Sequence, residues 1–301
     1  DREDMSFSSD VKAELCALRT DSAAAEAECH GMLMLCRSFS YEKILLQTGS
    51  KDAAERFCTL LRLAFDVFAS IREGGAKKTT YTVEIQGAGD RKRIMHRLGY
   101  NQDGDVRIDF ERFRQEGNIQ SFVRGAFLAG GGVSDPEKEY RAEFSFKDNN
   151  IAADFLTLLD YQGIEFSMTF RAGKFLVYTK NSNTIEDLFA YMGAGGETLN
   201  LIGVKVYKSV RNRINRQNNC ETSNILKTAD AAYHQTCAIE KIKKAGRLET
   251  LPEELLEAAM LRLNNPDMSL AGLCRLTGSR LTRSGLNHRI QKLIEIAEEL
   301  D

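Results

Sequence analysis

The stretch FLAGGGVSDP, Phe127 to Pro136, decides how the chain is read. An apolar helix expected over 118–131 ends in Leu128, Ala129 and Gly130. Asp135 and Pro136 follow at once. Asp135 reads as a residue that caps or ties a turn beside the proline. Glu137, Glu139 and Glu143 are near in sequence and read as solvated or as one face of a strand.

Moving outward, the hydrophobic periodicity predicts one order of elements twice. The first copy reads as a helix over 23–39, a strand Ile44–Thr48 and a helix over 51–65. A strand Thr79–Gln86 and a short helix over 90–98, closed by Gly99, complete it. A polar stretch, Tyr100–Gly117, separates the copies. The second has the helix 118–131, a strand Ala142–Phe146 and a helix over 149–161. A hairpin of Glu165–Phe170 and Lys174–Thr179 turns at Ala172–Gly173, and a helix over 184–192 closes at Gly193. Corresponding elements lie about 94–98 positions apart, so an α/β unit is duplicated with little sequence identity.

Composition bounds the function. The 301 residues are 43% hydrophobic and 28% charged, which suits globular domains with a real core. No run of 18 apolar residues occurs, so no transmembrane helix is expected. Asp1–Asp4 precede Met5 and read as an appended remnant, not a signal peptide. The seven cysteines are odd in number and scattered, with no CxxC pair. A disulfide framework and a zinc site are not expected; the cytoplasm is. The net charge of −2 hides an asymmetry: residues 205–301 carry 16 Lys/Arg against 12 Asp/Glu. Lys205, Lys208, Arg211, Arg213 and Arg216 lie in an acid-free stretch between Glu197 and Glu221. Arg275, Arg280, Arg283, Arg289 and Lys292 lie in another between Asp267 and Glu295. Such clustering marks a nucleic-acid footprint better than total charge.

After Gly195-Gly196 the pattern becomes helical. A helix capped at Thr198 is predicted to run to Arg216, break at the polar Gln217–Asn219, and resume from about Glu221 to Ala245 before Gly246. A helix over 253–264 with Pro252 in its first turn comes next, then one capped by Ser269 up to Leu276. A turn at Thr277–Arg280 leads to a last helix capped by Thr282. This tail has the form of a helix-turn-helix. The last helix has an apolar face of Leu286, Ile290, Leu293 and Ala297. Arg280, Thr282, Arg283, Ser284, Asn287, His288, Arg289, Gln291 and Lys292 are its candidate DNA-binding residues. Arg, Asn and Gln reach base edges, and cations and helix-start hydroxyls reach phosphates. The plainer alternative is a solvated face on a small α domain.

Upstream, Lys208, Arg211, Arg213 and Arg216 are candidate phosphate contacts. Arg211–Asn215 and Asn212–Arg216 share faces by i, i+4 spacing. The competing reading has Asn218, Asn219 and Thr222 capping helices and Glu221 pairing with an arginine. Cys220 beside Glu221 has no suitably placed histidine for a catalytic thiol, since His234 lies far along the helix.

FLAGGGVSDP resembles the helix end of the LAGLIDADG homing endonucleases. Asp135 stands where they place a metal-binding carboxylate, Val133 where they have their first acid, and Pro136 where they have a closing glycine. Those enzymes pack two such helices side by side through their small residues, so the resemblance implies a helix-packing seam at Leu128, Ala129 and Gly130; their end carboxylates hold metals at the scissile phosphates. Here CHGMLMLCRSFSY, Cys29–Tyr41, has no acid, so half of that site is missing. The chain as a whole resembles the WhiA family of bacterial DNA-binding regulators. The matching pieces are SFSSDVKAEL, RGAFLAGGGVSDPEKEYRAEFSF, RNRINRQNNCETSN with KTADAA, and LPEELLEAAMLRL through SGLNHRIQKLIEIAEEL. They span nearly all of 6–300 in family order. CHGMLMLCRSFSY departs from the usual family pattern in being more apolar.

The resemblance implies an α+β chain, with a duplicated LAGLIDADG-like α/β domain followed by an all-α helix-turn-helix domain. The expected bounds are 5–196 (repeats about 5–99 and 118–196), 197–246 for basic linking helices, and 247–301 for the DNA-binding domain. It also implies roles in transcription, cell division and, in some bacteria, sporulation. The expected protein is a sequence-specific regulator that binds double-stranded DNA in the cytoplasm, at the nucleoid. It has no catalytic residues, metal, cofactor or membrane. Two other readings stay open: a metal-dependent endonuclease using a vestigial Asp135, and a scaffold for transcription or cell-division proteins with secondary DNA binding.

Overall fold

The computed structural model describes residues 6–75, 79–101, 106–109, 118–278 and 280–300. Asp1–Asp4 and most of the expected polar stretch Tyr100–Gly117 lie outside them. The chain divides into two compact units, 1–207 and 208–301.

The first unit opens with α1 (Phe7–Cys16), which buries Val11 and Leu15. Its first repeat is α2 (Ser22–Met34), β1 (Ser38–Phe39), β2 (Ile44–Thr48), α3 (Lys51–Phe65), β3 (Ile71–Gly74), β4 (Thr80–Glu84) and α4 (Ala88–Arg97). The second is α5 (Asn118–Gly130), β5 (Gly131–Val133), β6 (Ala142–Phe146), α6 (Asn149–Tyr161), β7 (Ser167–Arg171), β8 (Lys174–Thr179) and α7 (Ser182–Met192). The sheets repeat the same order, β1-β2-β4-β3 and β5-β6-β8-β7, with antiparallel neighbours throughout. The duplication that sequence identity barely records is therefore complete in the topology.

Local chemistry explains most of these elements. Ala142, Phe144 and Phe146 face the core, and Glu143 and Ser145 alternate with them. The Ser50 hydroxyl accepts the Ala53 N–H at 3.2 Å to start α3, and Asp148 accepts the N–H groups of Asn150 and Ile151 to start α6. The β7–β8 hairpin turns through two left-handed residues, Ala172 (φ 51°) and Gly173 (φ 75°), the geometry a two-residue hairpin favours.

Three strands were not anticipated: β1, β3 and β5. All are sheet edges of two to four residues, and each is held by hydrogen bonds from the strand that follows it in the chain. The helix expected over 23–39 stops at Met34, since Ser38 and Phe39 pair with Leu45 and Ile44.

The two central helices, α2 and α5, meet backbone to backbone. A Cβ on Gly31 would lie 2.0 Å from the Phe122 carbonyl oxygen, and one on Gly125 would lie 1.9 Å from the Glu28 carbonyl oxygen. Only glycine permits this approach. Glu28, fully buried beside the crossing, accepts from Arg56 Nε at 2.8 Å and from Arg124 Nε at 3.0 Å. Arg124 also donates to the Met192 carbonyl and the Ser121 hydroxyl. Burial of α2 from Ala27 to Met34 accounts for its apolar sequence.

The long helix α8 (Gly195–Lys244) begins in the first unit and runs on into the second. Two expectations fail here. Thr198 does not cap; its hydroxyl donates to the Ala194 carbonyl at 2.7 Å. Gln217–Asn219 do not break the helix, and Gln217 donates instead to Glu221 at 3.1 Å. Gln is a good helix former, and each Asn costs only a few tenths of a kcal/mol against roughly one hydrogen bond gained per residue in a helix already nucleated. Beyond Gly246 (φ 70°) come a 3₁₀ turn (Leu248–Thr250), α9 (Glu253–Leu263), α10 (Leu270–Leu276) and α11 (Arg283–Glu298).

Candidate nucleic-acid interface

The second unit is built to present α11. Its core joins Ala258 and Ala259 of α9, Leu273 of α10, and Leu286, Ile290, Leu293 and Ala297 of α11. Ile239 and Ile242, from the last turns of α8, complete it. The periodicity of the tail alone had not enlisted this fourth helix. The Ser269 hydroxyl accepts the Gly272 N–H at 3.1 Å, and the Thr282 hydroxyl accepts the Gly285 N–H at 3.1 Å. Gly278 turns the chain between α10 and α11 with φ 63°.

Arg262 was not singled out in the sequence. It is 1% exposed and donates from Nη1 to the carbonyls of Asn265 (3.2 Å) and Met268 (2.5 Å). The guanidinium thereby fixes the loop that delivers Ser269 to the start of α10. Desolvation holds its pKa below the ordinary arginine value.

Thr282, Arg283, Ser284, Asn287, His288, Gln291 and Lys292 are all exposed, as is Arg280 in the preceding turn. Ser284, Asn287, His288 and Gln291 follow i, i+3, i+4, i+7 and share one stripe opposite Leu286, Ile290 and Leu293. Glu295 continues that stripe, so its donor-rich part ends after Gln291. Arg289 departs from the expected set. It lies between Glu254 (3.2 Å) and Glu257 (3.4 Å) of α9 with its side chain 19% exposed, so its charge is matched within the fold.

On α8, Arg211, Arg213 and Arg216 are exposed and Lys208 is half-buried. All four lie on continuous helix. Cys220 is exposed near the Asn224 amide at 3.7 Å, and His234 sits against Asp230 at 3.5 Å. Nothing there assembles a thiol nucleophile with a base.

In the first unit, Leu128 is fully buried and Ala129 and Gly130 are half-buried. A Cβ on Gly130 would meet the Leu35 side chain at 2.5 Å. The closest helix approach lies further back, at Gly125 and Gly31. Asp135 ties a turn. Its Oδ1 accepts the Glu137 N–H at 2.9 Å, its carbonyl accepts the N–H groups of Lys138 and Glu139, and Lys138 stands 3.7 Å from Oδ2. Glu143 is paired with Arg141 at 2.7 Å, and Glu139 accepts the Ser134 hydroxyl. The facing end of α2 continues into Leu35, Cys36 and Arg37, which offer no side-chain oxygen. This donor set does not fit a divalent cation bridging two helix ends.

Two family models match, the WhiA LAGLIDADG-like domain over residues 119–211 and the WhiA C-terminal HTH domain over 214–297. A "probable cell division protein WhiA" of Clostridium acetobutylicum is 34% identical over 315 residues, covering 98% of each chain. The chain belongs to the WhiA family. A WhiA of the same printed name from Clostridium botulinum is 32% identical, with 98% of this chain and 99% of that one covered. The crystal structure of full-length WhiA from Thermotoga maritima shares the fold, with a TM-score of 0.58 at 24% identity over 98% of this chain and 99% of that one. The separate LAGLIDADG domain of a WhiA matches with a TM-score of 0.51 at 17% identity, over 64% of this chain and 95% of that one. The fold is thus a duplicated LAGLIDADG-like α/β domain followed by a helical helix-turn-helix region, as the sequence implied.

Proposed function

We propose that this WhiA is a sequence-specific regulator of transcription that binds double-stranded DNA and cuts none. The observation that carries the reading is the exposed stripe of α11. Arg283, Ser284, Asn287, His288 and Gln291 present donors with no acid among them, on a helix whose start is held by Thr282. Amide and guanidinium groups at such positions read base edges in the major groove. Arg280, Lys292, Lys208, Arg211, Arg213 and Arg216 supply phosphate contacts. Arg289 is assigned to packing. The domain bounds that go with this reading are 5–196, 197–246 and 247–301.

The names of the Clostridium relatives extend the reading to cell division, and the family resemblance extends it to sporulation in some bacteria. Action at the nucleoid in the cytoplasm follows from DNA binding. Asp135, engaged in its own turn, supports a domain without hydrolysis. The test is a genome-wide occupancy map of the tagged full chain, followed by mobility shifts on the recovered sites. Discrete sites that compete over random duplex are expected. Uniform occupancy, or shifts that survive removal of 268–301, would overturn the assignment to α11.

A further inference from the structure

The first unit contains a cleft of about 760 Å³ where the ends of α2 and α5 meet the start of α6. Its size lies within the range of small-molecule sites. Leu35, Phe39 and Ile151 give it an apolar wall, and Gly130 and Gly131 also line it. Four cations line it, Lys12, Arg37, Lys147 and Lys174, against one acid, Asp148. Its Oδ1 accepts the Asn150 and Ile151 N–H groups at 2.8 and 3.0 Å, which leaves its single negative charge in place against the four cations.

Lys12 is the unusual member. It projects from α1, which is pinned to β5 by the Ser8 hydroxyl on the Val133 N–H at 3.4 Å. Among the described residues it has no hydrogen bond and no ion pair. Its Nζ instead lies 5.8 Å from the centre of the fully buried Phe127 ring. Desolvation lowers its pKa to about 8, and Cys16 is the titratable group acting on it in the other direction. A desolvated ammonium without a counter-charge costs stability, and an anion placed on it recovers that cost. Arg37 and Lys147 at the rim donate to uncharged oxygens, Gln47 Oε1 and the Arg37 carbonyl, so their positive charge stays unneutralised. A lone carboxylate would match one of four cations; a phosphate ester matches more.

We propose that this cleft binds an organic phosphate of nucleotide size, with its phosphate on Lys12 and the rim cations and its planar body against Leu35, Phe39 and Ile151. The site is separate from the α11 stripe, and its occupant is an effector of the first unit.

The experiment is lysine footprinting of the full chain. A brief pulse of acetic anhydride at pH 8 is read by peptide mass spectrometry, with millimolar ATP, GTP, pyrophosphate or adenosine, or with duplex DNA, present. The expected result is at least a fivefold slowing at Lys12 with ATP or GTP, a smaller slowing with pyrophosphate, and none with adenosine. Exposed Lys92 serves as the control and should not change. Lys12→Met should lose the thermal shift that ATP or GTP produces, and Lys174→Ala should lose part of it. No slowing at Lys12 by any phosphate, equal slowing at Lys92, or an unchanged thermal shift in Lys12→Met overturns the proposal. Slowing by duplex DNA alone also overturns it and makes the cleft a nucleic-acid surface. If Lys12→Met does not fold, the footprint of the unaltered chain still decides.

Discussion

Arg124 on α5 and Arg283 on α11 are the same residue type on amphipathic helices, with opposite fates. Arg124 is 7% exposed and donates to Glu28, Ser121 and the Met192 carbonyl. Arg283 is exposed and has no internal acceptor among the described residues. A guanidinium bonded on all sides within the fold holds helices together, and one left open at a helix start is available to phosphate or base. Arg262 and Arg289 show that the distinction runs through the second unit too. Both are spent internally, although they lie within or beside the helix-turn-helix. Charge clustering therefore marks the region, and the internal partners of each cation decide which residues stay open.

The strongest way to break this contrast is Glu28→Ala. It strands Arg56 and Arg124 in the interior, and the expected loss is about 3–5 kcal/mol by denaturant unfolding of the full chain. A change within experimental error would mean the triad holds nothing. Next comes Arg211→Ala with Arg213→Ala and Arg216→Ala. Binding should weaken on every sequence, and the slope of log K against log salt should flatten by up to about 3, roughly 0.9 for each phosphate no longer neutralised. Altered base preference would move these arginines from phosphate to base. Asn287→Ala sharpens the other side, with a cost of about 1–3 kcal/mol confined to one base position in a binding-site selection. Loss spread evenly over the site would make Asn287 a backbone contact.

Two smaller effects concern the first unit. Lys12 has a folded pKa of about 8, below the ordinary lysine value of about 10.4. Between those values the unfolded chain binds more protons, so stability rises with pH across that window. In Lys12→Met the rise should shrink, and the variant should be the more stable protein at pH 7. An identical pH profile in both proteins would place the ammonium in water. The smallest effect is expected for Asp135→Asn, whose amide oxygen still accepts the Glu137 N–H; stability should move by less than about 0.5 kcal/mol, and DNA affinity not at all. Plasmid nicking with Mg²⁺ or Mn²⁺ that this substitution abolishes would restore the nuclease reading.

Much of the fold was legible because its determinants are local. Strands Ile44–Thr48 and Ala142–Phe146 and helices 51–65 and 149–161 follow from periodicity within a few residues, and their bounds agree with the structure. The caps at Ser269 and Thr282 and the Ala172–Gly173 turn were legible for the same reason, since each side chain or φ acts on its own neighbours. The expected break at Gln217–Asn219 is absent because a nucleated helix propagates cooperatively through polar residues that would end a short one.

By itself the sequence determined the order of the longer elements in each repeat, the duplication, the family and the acid-free stretches that flag the carboxy-terminal helices. Only the tertiary structure decided which groups are already spoken for. The crossing at Gly31 and Gly125, the Glu28 triad, the capture of Arg289 by Glu254 and Glu257, and the lone ammonium of Lys12 all depend on residues distant in the chain, and the edge strands β1, β3 and β5 on pairing with the strand that follows each. Local propensity carries no information about such partners, because a side chain's energy depends on what the fold brings to it.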